Sequence, residues 1–243
     1  MIIAIDGYEA NVSNRVGIGR YAYEIIRNIH KISTKNTYRV YLPGRPLSDM
    51  PKESDQWKYR VAGPEKLWTF VGLPLAIALD SPKPDVLFSP THYVPRWIST
   101  PRVMAIMDLS YLEYPQMFRA KDLHQLIHWT TYSVRYARAI MTISEFSKRA
   151  IIDAYKVPEK RVIVTYPGLT MPKTQTKERS LGDYILSVGT LQPRKNFVHL
   201  IEAFSQIAPK YPGLSLVIVG KKGWLYEEIL AAPQQYAVVD KVK

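Results

Sequence analysis

The sequence predicts an α/β fold: a doubly wound, parallel-sheet, Rossmann-like N-terminal domain, followed by an incomplete second Rossmann-like domain. Three observations carry that reading. Short β-branched apolar runs alternate with helix-length amphipathic segments, the pattern of strands joined by crossover helices. The strand runs are apolar almost throughout, as in a sheet covered on both faces. The rhythm breaks at a polar, charged, Pro-containing stretch, TMPKTQTKERS at 170–180, and then restarts.

The elements follow in order. IIAID (2–6) is a β-branched run and reads as the first strand. GRYAYEIIRNIHKI (19–32) is the amphipathic helix after it. YRVYLP (38–43) is the next strand, and YRVAG (59–63) a weaker one. A helix is expected near 67–79, then strands VLFSP (86–90) and RVMAIMD (102–108). A long helix near 121–137 leads to the strand AIMTIS (139–144). SEFSKRAIIDAY (144–155) opens with a capping serine and reads as a helix, and RVIVTYP (161–167) as the last strand of the domain. The domain therefore spans 1–172, with an interdomain linker at 173–181. The second domain, 182–243, offers strands YILSVGT (184–190) and LSLVIVG (214–220), helices at 196–211 and around 224–230, and YAVVDKVK leading toward another strand. It falls short of the usual ~100–150 residues of a domain, so the sequence is expected to be a fragment or a truncation that needs another chain.

Bulk properties exclude several classes. No run reaches the about 18 apolar residues of a membrane span; the longest apolar stretch, LWTFVGLPLAIAL at 67–79, is interrupted by Gly and Pro. The N-terminus enters a strand directly, with no signal-peptide pattern, so a cytoplasmic protein is expected. The absence of Cys removes disulfide and thiolate chemistry. Lys plus Arg is 33 against 21 Asp plus Glu, a formal charge of +12. That balance suits anionic partners, whether nucleic acid, an anionic membrane surface or phosphorylated substrates, and does not choose among them. Aromatics fall mostly in strand and helix patterns, so no nucleic-acid stacking platform is signalled. There is no zinc spacing, Walker sequence or nucleophilic triad, and the five His are scattered.

Four places are candidates for chemistry. Gly17 and Gly19, in NRVGIGR ahead of Arg20, follow the first strand and open a helix. Free helix-terminal N–H groups there suit an anion, or the loop is simply a turn. Asp108 ends the strand run 102–108 and is placed to reach a crevice at the carboxyl edge, or caps the following turn. His92, in SPTHYVP, is similarly placed; it suits acceptor hydroxyls or a backbone hydrogen bond. Ser144 ends a strand and caps a helix, with ligand contact the lesser reading. In VGTLQPRKNF (188–197), Arg194 and Lys195 precede a helix N-terminus that Asn196 can cap, and Gly189 and Thr190 let the loop run close to a ligand. Charge and free N–H groups would then converge; the alternative is a solvated basic turn.

Taken together, GIGRYAYEIIRNI (17–29), PDVLFSPTHYVP (84–95), MDLSYLEYP (107–115), ISEFSKR (143–149), VPEKRVIVTYPG (157–168), VGTLQPRKNFVHLIEAF (188–204) and LVIVGKKGW (216–224) resemble glycosyltransferase family 4, of GT-B architecture. The pieces are collinear and cover nearly the whole chain. The resemblance implies two Rossmann-like domains, the first binding acceptor and the second most of the donor. It implies retaining transfer of a hexose, mannose foremost, from a GDP- or UDP-sugar to a glycan or lipid-linked acceptor, with no metal or other cofactor. Gly17 and Gly19 would lie against the donor phosphates, and Lys195 beside Arg194 would neutralise the leaving diphosphate. Fixed cations stabilise charge that develops as the bond breaks. Asp108 is the candidate catalytic residue; Arg20, His92, Ser144, Gly189 and Thr190 are candidate donor or acceptor contacts.

Two departures stand out. Relatives carry His where this chain has Met107, which cannot donate the same hydrogen bond to the sugar. The family's paired-Glu segment is absent, so a complete donor site is not expected in this chain. A non-catalytic acceptor- or partner-binding module is the alternative. A nucleotide-dependent oxidoreductase would need a third glycine and an acidic ribose partner. Peripheral contact with an anionic membrane face is a further expectation, from the net charge and from Trp68 and Phe70 within 67–79, a segment that suits core packing equally well.

Overall fold

The computed structural model describes residues 1–32, 35–169 and 182–243. The chain divides into two compact units, Met1–Leu169 and Thr170–Lys243. The predicted linker, 173–181, lies outside the described residues.

The first unit runs β1 (Ile2–Asp6), α1 (Ile18–Ile32), β2 (Thr37–Leu42), β3 (Trp57–Val61), a π-helical turn (Trp68–Gly72) continuing into α2 (Leu73–Leu79), β4 (Val86–Ser89) and β5 (Arg102–Ile106). It continues with α3 (Ser110–Glu113), α4 (Ala120–Tyr136), β6 (Ala139–Thr142), α5 (Glu145–Tyr155) and β7 (Val162–Val164). The seven strands form one sheet in the order β3-β2-β1-β4-β5-β6-β7, and every pairing is parallel. Winding runs outward from β1 to β3, then restarts at β4 on the other side of β1. The strand order therefore reverses between β1 and β4, and a crevice opens at the carboxyl ends of such a pair.

Side-chain alternation explains why the strands are apolar throughout. Ile5, Val40 and Phe88 pack on one face with Ala22, Tyr23 and Ile26 of α1. Their neighbours Ala4, Tyr41 and Leu87 pack on the other face with Trp68, Leu73 and Ile77. Met104, Ile106, Ile140 and Ile151 close the far half of the unit. Each such side chain contributes roughly 1.5–3 kcal/mol by burial. Arg39 in β2 is buried among them, and its guanidinium donates to Asp80 at 2.8 Å and to the Pro82 carbonyl at 2.7 Å. The Tyr41 hydroxyl donates to the same carboxylate at 2.5 Å.

Two sequence expectations change here. The strand expected at 102–108 ends at Ile106, so Met107 and Asp108 lie in the loop beyond its carboxyl end. In the segment 67–79, Trp68 is buried and its Nε1 donates to Asp6 at 2.9 Å, while Phe70 packs edge-on against Trp129 with ring centroids 4.2 Å apart. The exposed apolar residues of the segment are instead Leu67, Val71, Leu75 and Leu79. The π turn rotates the face: Gly72 lies against the Trp68 ring, where a Cβ would stand 2.5 Å away, so Trp68 turns inward. YAVVDKVK, expected to lead toward a strand, makes a 3-10 turn at Val239–Lys241, after which Val242 bridges Leu216 in parallel.

The second unit, described from residue 182, holds β8 (Tyr184–Val188), α6 (Phe197–Ile207), β9 (Ser215–Val219) and α7 (Glu227–Gln235). The two strands are parallel, in register from Tyr184↔Ser215 to Val188↔Val219. Ile201, Phe204, Leu216 and Ala232 form its core. Lys241 donates to the carbonyls of Ala208, at 2.7 Å, and Tyr211, at 3.2 Å, just beyond the carboxyl end of α6. A cation there satisfies otherwise unmatched carbonyls.

Candidate functional site

The glycine loop ahead of α1 is held by Arg15. Its guanidinium grips Asp49 through both terminal nitrogens, donates from Nε to the Ala10 carbonyl at 2.5 Å and lies 4.0 Å over the Tyr23 ring. The two glycines do different work. Gly17 adopts φ +51° with open space where a side chain would be. Gly19 is buried, and a Cβ there would meet the Glu9 carbonyl at 2.9 Å. Gly19 thus serves a close approach within the chain, and Gly17 is the one facing open space. Arg20 is exposed and pairs with Glu24 at 2.5 Å.

Asp108, His92 and Ser144 come together at the carboxyl edge of β4, β5 and β6. Asp108 Oδ1 accepts from the Ser110 N–H at 2.9 Å and the Ser110 hydroxyl at 2.5 Å, which fixes the turn after β5. His92 Nδ1 is shut away from solvent with no hydrogen-bond partner among the described residues. Burial pushes the His92 pKa down to about 4, opposed by the nearby Asp108 carboxylate. The imidazole is therefore neutral at pH 7. Ser144 caps α5 as its sequence context predicts, with Oγ accepting from the Ser147 N–H at 3.1 Å. Ser147 in turn donates to the Met107 carbonyl at 2.9 Å, tying the start of α5 to the loop that carries Asp108.

A cavity of about 240 Å³ opens at the carboxyl ends of β1 and β4, where the strand order reverses; Asp108, His92 and Ser144 do not line it. Asp6, at the end of β1, and Thr91 and Tyr93, just after β4, contribute to it, as do Glu9, Trp68 and Trp129. Asp6 is the organiser: its carboxylate accepts from Trp68 Nε1 at 2.9 Å, Ser89 Oγ at 3.2 Å and the Tyr8 N–H at 3.2 Å. Burial raises the Asp6 pKa even so, and burial followed by the Asp6 charge raises that of Glu9. Phe70 and Tyr93 both meet Trp129 edge-on, at 4.2 and 5.5 Å between centroids. None of these cavity residues is among the sequence-predicted site residues. The available signal was Asp6 at the carboxyl end of the first strand, but only the strand order reveals that this end faces the crevice.

In the second unit, Gly189 and Thr190 follow β8, and a 3-10 turn at Pro193–Lys195 delivers Arg194 and Lys195 just ahead of α6. The aliphatic part of Lys195 runs beside Gly189, within 3.7 Å of where a side chain would stand. Lys195 is exposed and makes no ion pair among the described residues. Leu191 N–H donates to the Lys221 carbonyl at 2.9 Å, so the loop carrying Lys221 and Lys222 lies alongside. Gly220 permits this: a Cβ there would sit 1.8 Å from the Gly189 carbonyl oxygen. Sequence reasoning passed over these two lysines as ligand candidates. Asn196 occupies the cap position of α6 but in a left-handed conformation, φ 55°, and its side chain makes no capping bond. Capping requires extended backbone at that residue, which the 3-10 turn denies it.

Residues 173–242 match the family described as Glycosyl transferases group 1. The chain is 24% identical over 239 residues to O-antigen chain mannosyltransferase B of Escherichia coli, an alignment covering 86% of this chain and 61% of that protein. The chain thus spans less than two thirds of that relative's length. Among solved structures, it is similar over its whole length to the catalytic domain of starch synthase IV from Arabidopsis thaliana bound to ADP and acarbose, at 13% identity, TM-score 0.59 and 73% of that chain covered. It is likewise similar to a glycosyltransferase from Rickettsia africae, at 13% identity, TM-score 0.57 and 66% coverage of that chain. The lipopolysaccharide outer core galactosyltransferase WaaB gives 17% identity, TM-score 0.56 and 67% coverage of that chain. The fold is α/β of the kind found in GT-B glycosyltransferases, and its second unit carries a glycosyl transferase group 1 domain match.

Proposed function

We propose that this polypeptide belongs to a retaining glycosyltransferase that moves a hexose, mannose foremost, from a nucleotide-diphosphate sugar to a glycan or lipid-linked acceptor. The observation that carries the reading is the group 1 match over 173–242, which contains the turn presenting Arg194 and Lys195 beside Gly189. Breaking the sugar–phosphate bond builds negative charge on the leaving diphosphate. Cations already fixed at a helix start stabilise that charge without reorganising. Lys195 fits the role by its exposure, with Arg194, Lys221 and Lys222 as neighbours in the same unit. Gly17, with its open side, suits backbone contact with a phosphate. Asp108, which accepts from Ser110, is the proposed catalytic residue and orients a sugar hydroxyl in this reading, with neutral His92 nearby; Ser144, Arg20 and Thr190 complete the proposed contacts.

Calorimetry with GDP and UDP tests the donor side. GDP binding is expected, weakened about tenfold or more by Lys195→Ala, as for loss of a charge-assisted contact. Unchanged GDP affinity in Lys195→Ala would remove the diphosphate role.

We further propose peripheral contact with an anionic membrane. Among the described residues no helix is long and apolar enough to cross one. Leu67, Val71, Leu75 and Leu79 recur every fourth residue, all exposed, with exposed Lys66 and Lys83 at either end. An apolar stripe flanked by cations suits the headgroup boundary. Flotation with phosphatidylglycerol vesicles is expected to carry the protein, and Leu75→Lys with Leu79→Lys to abolish this. Equal recovery with neutral vesicles counts against it.

A further inference from the structure

We infer that the cavity between the carboxyl ends of β1 and β4 binds one neutral, hydroxyl-bearing pyranose ring and rejects rings bearing phosphate or carboxylate. The inference rests on the transferase reading only in taking that ring to belong to the acceptor.

Four observations carry it. The cavity lies at the reversal of strand order, where open parallel sheets bind ligands, and every residue lining it belongs to the first unit. Its volume, about 240 Å³, is below the roughly 300–1,000 Å³ of sites that enclose drug-sized ligands. One ring suits it better than an extended chain. Its walls are aromatic, with Trp129 braced edge-on by both Phe70 and Tyr93. Such rings offer apolar faces to the C–H side of a sugar, and their polar edges leave its hydroxyls satisfied.

The charge is the fourth observation and decides the class. The chain carries 33 Lys and Arg against 21 Asp and Glu, yet among the described residues no Lys, Arg or His lines this cavity, and Asp6, Glu9 and Glu65 are carboxyls. A phosphate placed there would meet like charge in a partly desolvated space, which costs several kcal/mol. A hydroxyl instead donates to a carboxylate in a charge-assisted bond. Asp6 is already committed to Trp68, Ser89 and Tyr8, so it positions the wall. Glu9 is the carboxylate assigned to the ligand. The cavity thus has the opposite charge preference to the Lys195 turn.

The test is titration of the chain with α-1,2-mannobiose, mannose 6-phosphate and glucuronic acid, followed by tryptophan fluorescence and ligand-observed NMR. Mannobiose is expected to bind at least tenfold more tightly than either charged sugar. Glu9→Gln and Trp129→Ala, each checked for native circular dichroism, should weaken mannobiose at least tenfold. Glu9→Gln should also narrow the discrimination against mannose 6-phosphate. Equal or tighter binding of the phosphate or of the uronic acid overturns the assignment. So does wild-type affinity in both variants. If no sugar binds while GDP binds through Lys195, the cavity assignment fails and the transferase reading stands. If mannobiose binds as described but GDP does not bind, the cavity assignment stands and the diphosphate role of Lys195 fails.

Discussion

His92 is the residue whose chemistry is most altered by its surroundings. Its pKa falls to about 4 because its ring is buried, so below pH ~6.5 the unfolded chain binds a proton that the native chain resists. Stability should therefore rise with pH between about 4 and 6.5 and be level above that, by an amount on the order of 3 kcal/mol. His92→Gln should flatten this window in thermal unfolding followed from pH 4 to 7; an unchanged slope would assign it to other groups. The two loop glycines should separate in the same assay. Gly17→Ala meets only backbone strain at φ +51°, about 1 kcal/mol. Gly19→Ala drives a methyl into the Glu9 carbonyl and should cost roughly 1–3 kcal/mol. Legibility at this scale follows sequence distance. The Ser144 cap was readable because its partner, Ser147, is three residues on. The bond from Trp68 to Asp6 was not, because the partners are 62 residues apart.

At the scale of elements, strand and helix identities were readable from period and composition, and their ends were not. The π turn shows why. It adds about one residue to a helical turn, shifting the phase of every side chain after it. A period of 3.6 carried through the turn would misplace the buried face to which Trp68 belongs. Because Leu75 and Leu79 face out, substituting them with Lys should leave unfolding within about 0.5 kcal/mol of wild type. The pair of Arg39 and Asp80 behaves oppositely. Asp80→Ala strands a buried guanidinium and a tyrosine hydroxyl and should cost about 3–5 kcal/mol, measured by denaturant midpoint. A loss below 1 kcal/mol would mean that water reaches Arg39.

At the scale of the molecule, the alternation of strands and helices made the α/β class legible, while the order in which the strands lie did not follow from it. Without that order, the crevice between β1 and β4 has no address in the sequence, and its acidic lining is lost within a strongly basic composition. The two units concentrate opposite charge at their proposed sites, so salt should separate them. GDP affinity should fall steeply between 50 and 500 mM NaCl, since the screening length shrinks to a few ångströms over that range. Affinity for a neutral sugar should hold within about twofold, an outcome calorimetry at both salts would check.

The carboxylate of Asp6 has a temporal consequence. Its three partners stand 2, 62 and 83 residues away along the chain. Contacts of such unequal span cannot assemble from any one local segment; they wait for distant loops to close. The cavity is thus expected to form late in refolding, and the near-ultraviolet signal of Trp68 should recover with the slowest phase rather than with the first helices.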